Sequence, residues 1–140
     1  MRPTVIDASA AAPWFIPEER TAVTDQMYAD VIASPGQFRA PSLWLWETSN
    51  ILLVAFRRRR LSQDNFDGGL ALLESCPIEF DPPPNLHYRS QVMRLAQAHS
   101  LSFYDAAYLE LALRLNGQLA SLDRALVLAA KNCGIPCLDF

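Results

Sequence analysis

The 140-residue sequence contains few of the residues that cross-link small proteins. It has three cysteines, Cys76, Cys133 and Cys137, without a Cys-x-x-Cys pair, and only two histidines. An odd set of unpaired cysteines favours reduced thiols, and a zinc site at Cys133 and Cys137 is not expected without nearby histidine ligands. The sequence also lacks an apolar run of about 18 residues and a basic leader followed by an apolar stretch. We therefore expect a cytoplasmic protein that does not span a membrane.

Excess positive charge is also missing. Lysine and arginine together number 12 against 15 acidic residues, which gives a net charge of -3 and a pI near 5.3. This balance argues against a protein that coats nucleic acid through positive charge, but it allows an enzyme that acts on nucleic acid through a metal ion. Apolar residues are abundant, at 51% of the chain, so a substantial core can form. The length predicts a single domain over residues 1–140.

Short apolar segments alternate with helical patterns along the chain. Alternation of this kind is typical of a parallel sheet covered by helices on both faces, a three-layer α/β/α domain. The predicted strands are 3–7, 37–41, 77–81, 117–123 and 135–140. The predicted helices are 21–33, 43–60, 62–75, 85–99, 101–115 and 124–134, the last with Gly134 as its C-terminal cap.

Two acidic residues come directly after predicted strands. Asp7 follows the first strand and Asp123 ends the segment before the last helix. In open parallel sheets, ligands bind at the carboxyl ends of the strands, where the strand order reverses. An aspartate between a strand and a helix is also a common helix N-cap, so both interpretations stay open for each residue.

Two further acids lie on predicted helices. Glu47 shares one helix face with Leu43 and Ile51, so it interrupts an apolar seam, although a glutamate at the rim of that face is the alternative. Asp105 stands three residues after Ser102, the spacing of a capping box. A capping residue in the first turn of a helix can also face the strand ends, so the two interpretations of Asp105 are compatible.

Four carboxylates in four segments predict a cation if they converge. Like charges a few ångströms apart raise each other's pKa, and a divalent ion relieves that repulsion. Oxygen ligands without histidine or cysteine suit Mg²⁺ or Mn²⁺, and such an ion supports phosphodiester hydrolysis by metal-activated water. The predicted ligands and catalytic residues are Asp7, Glu47, Asp105 and Asp123.

Four segments, in the order VIDASAAAPWF, WETSNIL, LSFYDAAYLELA and LASLDRAL, resemble the acidic motifs of PIN-domain ribonucleases. The likeness is to VapC toxins of type II toxin–antitoxin systems and extends from about Thr4 to the C-terminus, where NCGIPCLDF resembles their closing strand. The resemblance implies a PIN-like fold with strand order 3-2-1-4-5. It also implies a Mg²⁺- or Mn²⁺-dependent endoribonuclease that is a homodimer and is inhibited by a cognate antitoxin protein.

The resemblance carries over to individual residues. It implies metal binding at Asp7, Glu47, Asp105 and Asp123, the same four acids. It assigns supporting roles to three neighbours, because Ser9 and Ser121 match hydroxyl positions beside the first and last acids, and Asn50 matches an asparagine one turn after the glutamate. A serine stands at 121 where threonine is commoner, a mild departure.

Arginines and aromatic residues have two interpretations each. Arg57, Arg58, Arg59 and Arg60 are candidate contacts to RNA or to an acidic partner, or else a solvated helix end. Four adjacent residues cover all sides of a helical turn, so they cannot all face one groove.

The aromatic residues near the first two motifs can stack on bases, although we favour a place in the core or under a partner; they are Trp14, Phe15, Trp44 and Trp46. We expect Tyr104 and Tyr108 to be packing residues, and Glu110 to form an exposed ion pair with Arg114.

Two other functions remain as alternatives. One is a non-catalytic PIN-like binding module, against which the four intact acids argue. The other is a phosphoryl-transfer enzyme with Asp7 as nucleophile, for which the dehalogenase-like pattern requires a second aspartate at the position that Ser9 occupies. The sequence does not specify the RNA target.

Overall fold

A computed structural model describes residues 2–140. It contains a parallel four-stranded sheet and seven α-helices in a three-layer α/β/α arrangement. The strands are β1 (Thr4–Ile6), β2 (Phe38–Pro41), β3 (Glu79–Asp81) and β4 (Gln118–Ala120). The helices are α1 (Ala8–Phe15), α2 (Ala22–Ala33), α3 (Leu43–Arg57), α4 (Gln63–Ser75), α5 (Leu86–His99), α6 (Phe103–Arg114) and α7 (Arg124–Asn132), with a 3-10 turn at Pro17–Glu19.

The sheet has the order β3-β2-β1-β4, and every neighbouring pair is parallel. The central strand β1 is fully buried, as expected for a strand that is covered on both faces. Helices α1 to α4 pack on one another, whereas α6 packs on α5, α7 and the three strands β1, β2 and β4. The predicted fold class is therefore confirmed.

The prediction of a fifth strand at residues 135–140 is wrong. Residues 135–140 form one parallel bridge, between Leu119 and Cys137, on the outer side of β4. The bridge occupies the place of strand 5 in the predicted order 3-2-1-4-5. Leu119 donates to the carbonyl of Pro136 at 2.9 Å, but Pro136 has no N–H with which to extend the ladder.

Side-chain caps explain where most of the helices begin. Cap residues hydrogen-bond first-turn amides in six helices, at Asp7, Thr21, Ser62, Asn85, Ser102 and Asp123. Gly134 follows α7 with φ of +79°, which confirms its predicted role as a cap. Helix α1 was not predicted; it contains Pro13, a residue that is rare in helix interiors.

The predicted exposed pair between Glu110 and Arg114 is a mostly buried network. Glu110 is only 8% exposed, and its Oε2 accepts from Arg114 Nε at 2.9 Å. Arg114 also donates to Asp81 at the end of β3, at 2.6 Å, and its guanidinium lies 4.3 Å from the centre of the Tyr88 ring. The sequence spacing identified the pair, but not that α5 and β3 cover it.

No helix within residues 2–140 has the length and apolarity that crossing a membrane requires.

Candidate active site

The strand order reverses between β1 and β4. The chain proceeds from β1 through β2 to β3 on one side, then returns to place β4 on the other side of β1. Asp7 follows β1 directly, and its N–H donates to the carbonyl of Ala120, the last residue of β4, at 3.1 Å. The first and last acidic motifs therefore meet at the switch point of the sheet, where parallel sheets bind ligands.

Asp7 is 4% exposed, and both of its carboxylate oxygens accept hydrogen bonds. Ser9 Oγ donates to Oδ1 at 2.7 Å, and the N–H of Ala10 donates to the same oxygen at 3.0 Å. Ser121 Oγ donates to Oδ2 at 2.6 Å and itself accepts from the N–H of Asp123 at 3.0 Å. The two serines thus fix the orientation of this carboxylate and join the loops after β1 and β4.

Burial raises the pKa of Asp7 from 3.8 to about 6. Its hydrogen bonds from Ser121, Ser9 and Ala10 act in the opposite direction, and the charge of Asp123 adds to the increase. Removal from water disfavours the ionised form more than three donors favour it. Near neutral pH the folded protein therefore holds a carboxylate that is costly to ionise, which is common at functional sites.

Glu47 lies on α3 and receives one strong hydrogen bond. The hydroxyl of Tyr108, on α6, donates to Glu47 Oε1 at 2.6 Å. Burial raises the pKa of Glu47, the bond from Tyr108 lowers it, and the charge of Asp105 raises it further. Tyr108 is itself 1% exposed, and burial together with the neighbouring carboxylates raises the pKa of its hydroxyl, so it remains a donor.

Asp105 and Asp123 complete the group. Asp105 is half-buried in the first turn of α6, and its pKa is raised by burial first and by the charge of Asp123 second. Ser102 caps this helix, because its Oγ accepts from the N–H of Asp105 at 3.1 Å. Asp123 caps α7, since its Oδ1 accepts from the N–H of Leu126 at 3.1 Å. The predicted cap roles of Asp7 and Asp123 are confirmed.

The four acids form an electrostatic chain. The charge of Asp123 acts on both Asp7 and Asp105, and the charge of Asp105 acts on Glu47. None of the ion pairs within residues 2–140 includes any of the four. In the same part of the chain, no three acidic, histidine or cysteine side chains are close enough to share one ion directly.

These residues fit a partly hydrated divalent cation better than an ion that three or more carboxylates bind directly. Mg²⁺ usually keeps several waters and binds through one or two carboxylates, so it does not need three carboxylates at contact distance. The donors are oxygens, they repel one another, and no ion pair within residues 2–140 includes them. A hydrated Mg²⁺ or Mn²⁺ matches this chemistry.

Tyr108 is the site residue that sequence analysis missed. It was expected to pack in the core, and it does, but its hydroxyl reaches Glu47. Its position three residues after Asp105 places both side chains on the same side of α6, which is the signal that could have identified it. Asn50 is exposed and lines a cleft beside Glu47.

The arginine run lies away from the acids. Arg57 ends α3, ten residues after Glu47, so about 15 Å of helix separates their backbones. Arg60 pairs with Glu18 and with Glu19 in the 3-10 turn, the latter at 2.6 Å. Arg58 and Arg59 are exposed, and Arg59 adopts a left-handed backbone conformation with φ of 60°.

The aromatic residues separate into two groups. Trp14, Phe15 and Trp44 are in the core, as favoured from the sequence, whereas Trp46 is 79% exposed. Tyr104 is 59% exposed, so the expectation that it is a packing residue is wrong. A second correction concerns the cysteines, because Cys133 does have a histidine neighbour: His99 Nε2 lies 3.3 Å from its Sγ.

Comparisons with known proteins identify the class first. In the solved structure of PAE2754 from Pyrobaculum aerophilum, the fold matches with a TM-score of 0.73 at 24% identity, over 97% of this chain and 83% of that one. VapC20 of Mycobacterium tuberculosis, a sarcin-ricin loop cleaving toxin, matches with a TM-score of 0.64 at 17% identity, over 90% and 94%. FitAcB from Neisseria gonorrhoeae matches with a TM-score of 0.65 at 12% identity, over 97% and 96%. The fold is that of PIN-domain proteins.

A sequence relative then gives the family. The chain is 32% identical to Ribonuclease VapC3 of Pyrobaculum aerophilum over 126 residues, which span 87% of this chain and 90% of the relative. No family model matches the sequence. The chain belongs to the VapC ribonuclease family, so the resemblance seen in its four acidic motifs is confirmed.

Proposed function

We propose that this protein is a Mg²⁺- or Mn²⁺-dependent endoribonuclease and the toxin of a type II toxin–antitoxin pair. The observation that carries the proposal is the electrostatic coupling of four carboxylates, two of which lie at the switch point of the sheet, with no ion pair to any of the four within residues 2–140. Burial and mutual repulsion raise the pKa of Asp7, Glu47 and Asp105. Such an arrangement is unfavourable by itself and favourable around a divalent cation.

The proposed ligands are Asp7, Glu47, Asp105 and Asp123, and a cation bound there supplies Lewis-acid stabilisation to a phosphodiester. The chain's own groups hold the ligands in place. Ser9 and Ser121 orient Asp7, and Tyr108 fixes one oxygen of Glu47 while it leaves Oε2 free. Asn50 lines the cleft beside Glu47, which favours a supporting role for it as a substrate contact.

Covalent catalysis by Asp7 is the weaker alternative. A nucleophilic carboxylate needs an accessible oxygen, whereas Asp7 is 4% exposed and its two oxygens accept three hydrogen bonds. The alternative of a non-catalytic binding module does not explain why the protein groups acids whose pKa values burial and mutual repulsion raise. Both alternatives predict that RNA is not cleaved in the presence of Mn²⁺.

The proposed partners are an RNA substrate, a cognate antitoxin and a second copy of the chain, all in the cytoplasm. Membership in the VapC family supports the ribonuclease activity, and the sarcin-ricin loop cleaving toxin VapC20 supports RNA as the substrate class. Exposed apolar side chains support protein partners, since Leu86 and Met93 on α5 are 72% and 52% exposed.

The test is cleavage of structured RNA by the purified protein with Mn²⁺, with Mg²⁺ and with a chelator. Several kcal/mol of charge stabilisation depend on the cation, so we expect Asp7→Asn to reduce cleavage by about 100-fold or more. Asp30→Asn, which neutralises an exposed aspartate on α2, is the matched control and should keep wild-type activity. In cells, the wild type should arrest growth and Asp7→Asn should not. Metal-independent cleavage, or equal cleavage by wild type and Asp7→Asn, contradicts the proposal.

A further inference from the structure

Two exposed aromatic residues flank the acidic site. Trp46 directly precedes Glu47 near the start of α3, and Tyr104 directly precedes Asp105 in the first turn of α6. Their exposed fractions are 79% and 59%, whereas Trp14, Trp44 and Tyr108 are buried. The folded protein therefore leaves in solvent the two large aromatic side chains that adjoin its proposed metal ligands.

Both aromatics line a single cleft of about 670 Å³. Glu47 also lines this cleft, so the aromatic surface is continuous with the acidic site. Two polar side chains, Asn50 and Ser42, face the same space; the remaining lining residues are Leu43 and Pro83. Its volume falls within the range of sites that bind small organic groups, and its walls combine flat apolar surfaces with a few hydrogen-bonding groups.

The chemistry of these walls favours a nucleobase. A base is planar and uncharged, so it can stack on an indole or a phenol ring beside a carboxylate without charge repulsion. An acidic peptide would be repelled by Glu47. A protein segment fits better on a separate depression, which contains an arginine and no carboxylate; it is lined by Leu86, Arg89, Ser90, Met93 and Phe103.

We propose that Trp46 and Tyr104 form a stacking platform for an unpaired base of a single-stranded RNA segment, next to the phosphodiester that the acids address. The inference rests on the proposed ribonuclease function and assigns two base-binding residues to it. Stacking needs an exposed base face, so the platform acts on an unpaired base. Asn50 and Ser42, which line the same cleft, are the expected contacts to the edge of the stacked base.

The experiment compares KM and kcat for Mn²⁺-dependent cleavage of an RNA hairpin whose loop contains the cleaved bond. Loss of one stacked base weakens binding by about 10-fold, so Trp46→Ala and Tyr104→Ala should each raise KM by about that factor and change kcat little. Trp46→Phe and Tyr104→Phe keep an aromatic face and should restore most of the binding. Ile32→Ala, which truncates an exposed apolar side chain on α2, is the control and should leave KM unchanged.

A substrate change gives an independent readout. An abasic nucleotide beside the cleaved bond should weaken binding by wild type, but should have little further effect on the Trp46→Ala/Tyr104→Ala double variant. An unchanged KM in the double variant, or wild-type binding that does not depend on the base, overturns the proposal. If the double variant loses dimerisation in sedimentation while RNA binding stays normal, the aromatics form a protein interface instead.

Failure of the ribonuclease function itself has a different signature. In that case wild type cleaves no RNA with either metal, whichever residue stands at 46 or 104. Quenching of Trp46 fluorescence by single-stranded RNA then tests stacking alone, since the other two tryptophans are buried and Trp46→Phe supplies the background. Absence of quenching overturns the stacking platform as well.

Discussion

Replacement of Asp7 by asparagine should stabilise the metal-free protein while it abolishes activity. The carboxylate is 4% exposed, and its pKa is about 6 in the folded protein against an ordinary value of 3.8. At 1.36 kcal/mol for each pH unit, ionisation of Asp7 costs the folded state about 3 kcal/mol. Asparagine avoids this cost, because it keeps an oxygen for the N–H of Ala10 and carries no charge.

The pH dependence follows from the sign of the change. The folded protein binds this proton more tightly than the unfolded chain does, so the free energy of unfolding falls as the pH rises from about 4 to about 6 and the loss is complete above that range. A poorer bond with Ser121 should make Asp7→Asn about 1 kcal/mol less stable than wild type at the acidic end. At neutral pH the wild type also bears the cost of about 3 kcal/mol for ionisation, so the variant should be about 2 kcal/mol more stable there.

Chemical denaturation of chelator-treated protein across this pH range measures the effect. Mn²⁺ at a hundred times its dissociation constant should add about 2.7 kcal/mol to the stability of wild type and much less to that of Asp7→Asn. The control is Asp25→Asn, because Arg20 lowers the pKa of this exposed carboxylate and its loss should bring no stabilisation. If metal-free Asp7→Asn is less stable than wild type at neutral pH, burial of Asp7 is not the dominant cost.

Three further changes test separate parts of the site. Asp105→Asn should fold normally, because Ser102 caps the helix, but it should not cleave RNA. Circular dichroism and a cleavage assay measure the two effects, and full activity would leave Asp105 only a local structural role. Tyr108→Phe keeps the buried ring and loses the donor to Glu47, so calorimetry should show Mn²⁺ binding weakened by about 10-fold or more, and unchanged affinity would contradict a positioning role. Arg60→Ala removes only surface ion pairs, so thermal denaturation should show almost no change in the melting temperature, and RNA cleavage should be unaffected; a large loss of cleavage would place the segment after α3 in the substrate path.

The sequence predicted the elements that local chemistry specifies. Helix caps at Asp123 and Gly134 depend on the neighbouring residues alone, and both were recognised. The predicted fifth strand does not form, for a non-local reason. A strand exists only where its neighbour can complete the hydrogen-bond ladder, and Pro136 has no N–H to donate to β4. Helix α1 was not predicted, and seven of its eight residues are buried despite Pro13, so packing outweighs the cost of a proline there.

The candidate site was predictable to a different extent. Residue type and order identified the four acids, but spacing could not show that Tyr108 would approach Glu47 from a helix 61 positions further along the chain. The same limit applies to the tryptophans, because Trp44 and Trp46 lie two residues apart on α3 and differ from fully buried to 79% exposed. Only the position of the helix relative to the sheet distinguishes them.

The caps also explain how the protein tolerates its acidic site without a cation. Asp7, Asp105 and Asp123 lie at the start of α1, α6 and α7, where the positive end of each helix dipole stabilises a negative charge by about 0.3–1 kcal/mol. Glu47 has no such support, because it lies beyond the first turn of α3 and receives its hydrogen bond from the neutral hydroxyl of Tyr108. Glu47 is thus the proposed ligand that no helix cap holds in place, so cation binding should fix the position of α3 relative to the other three acids.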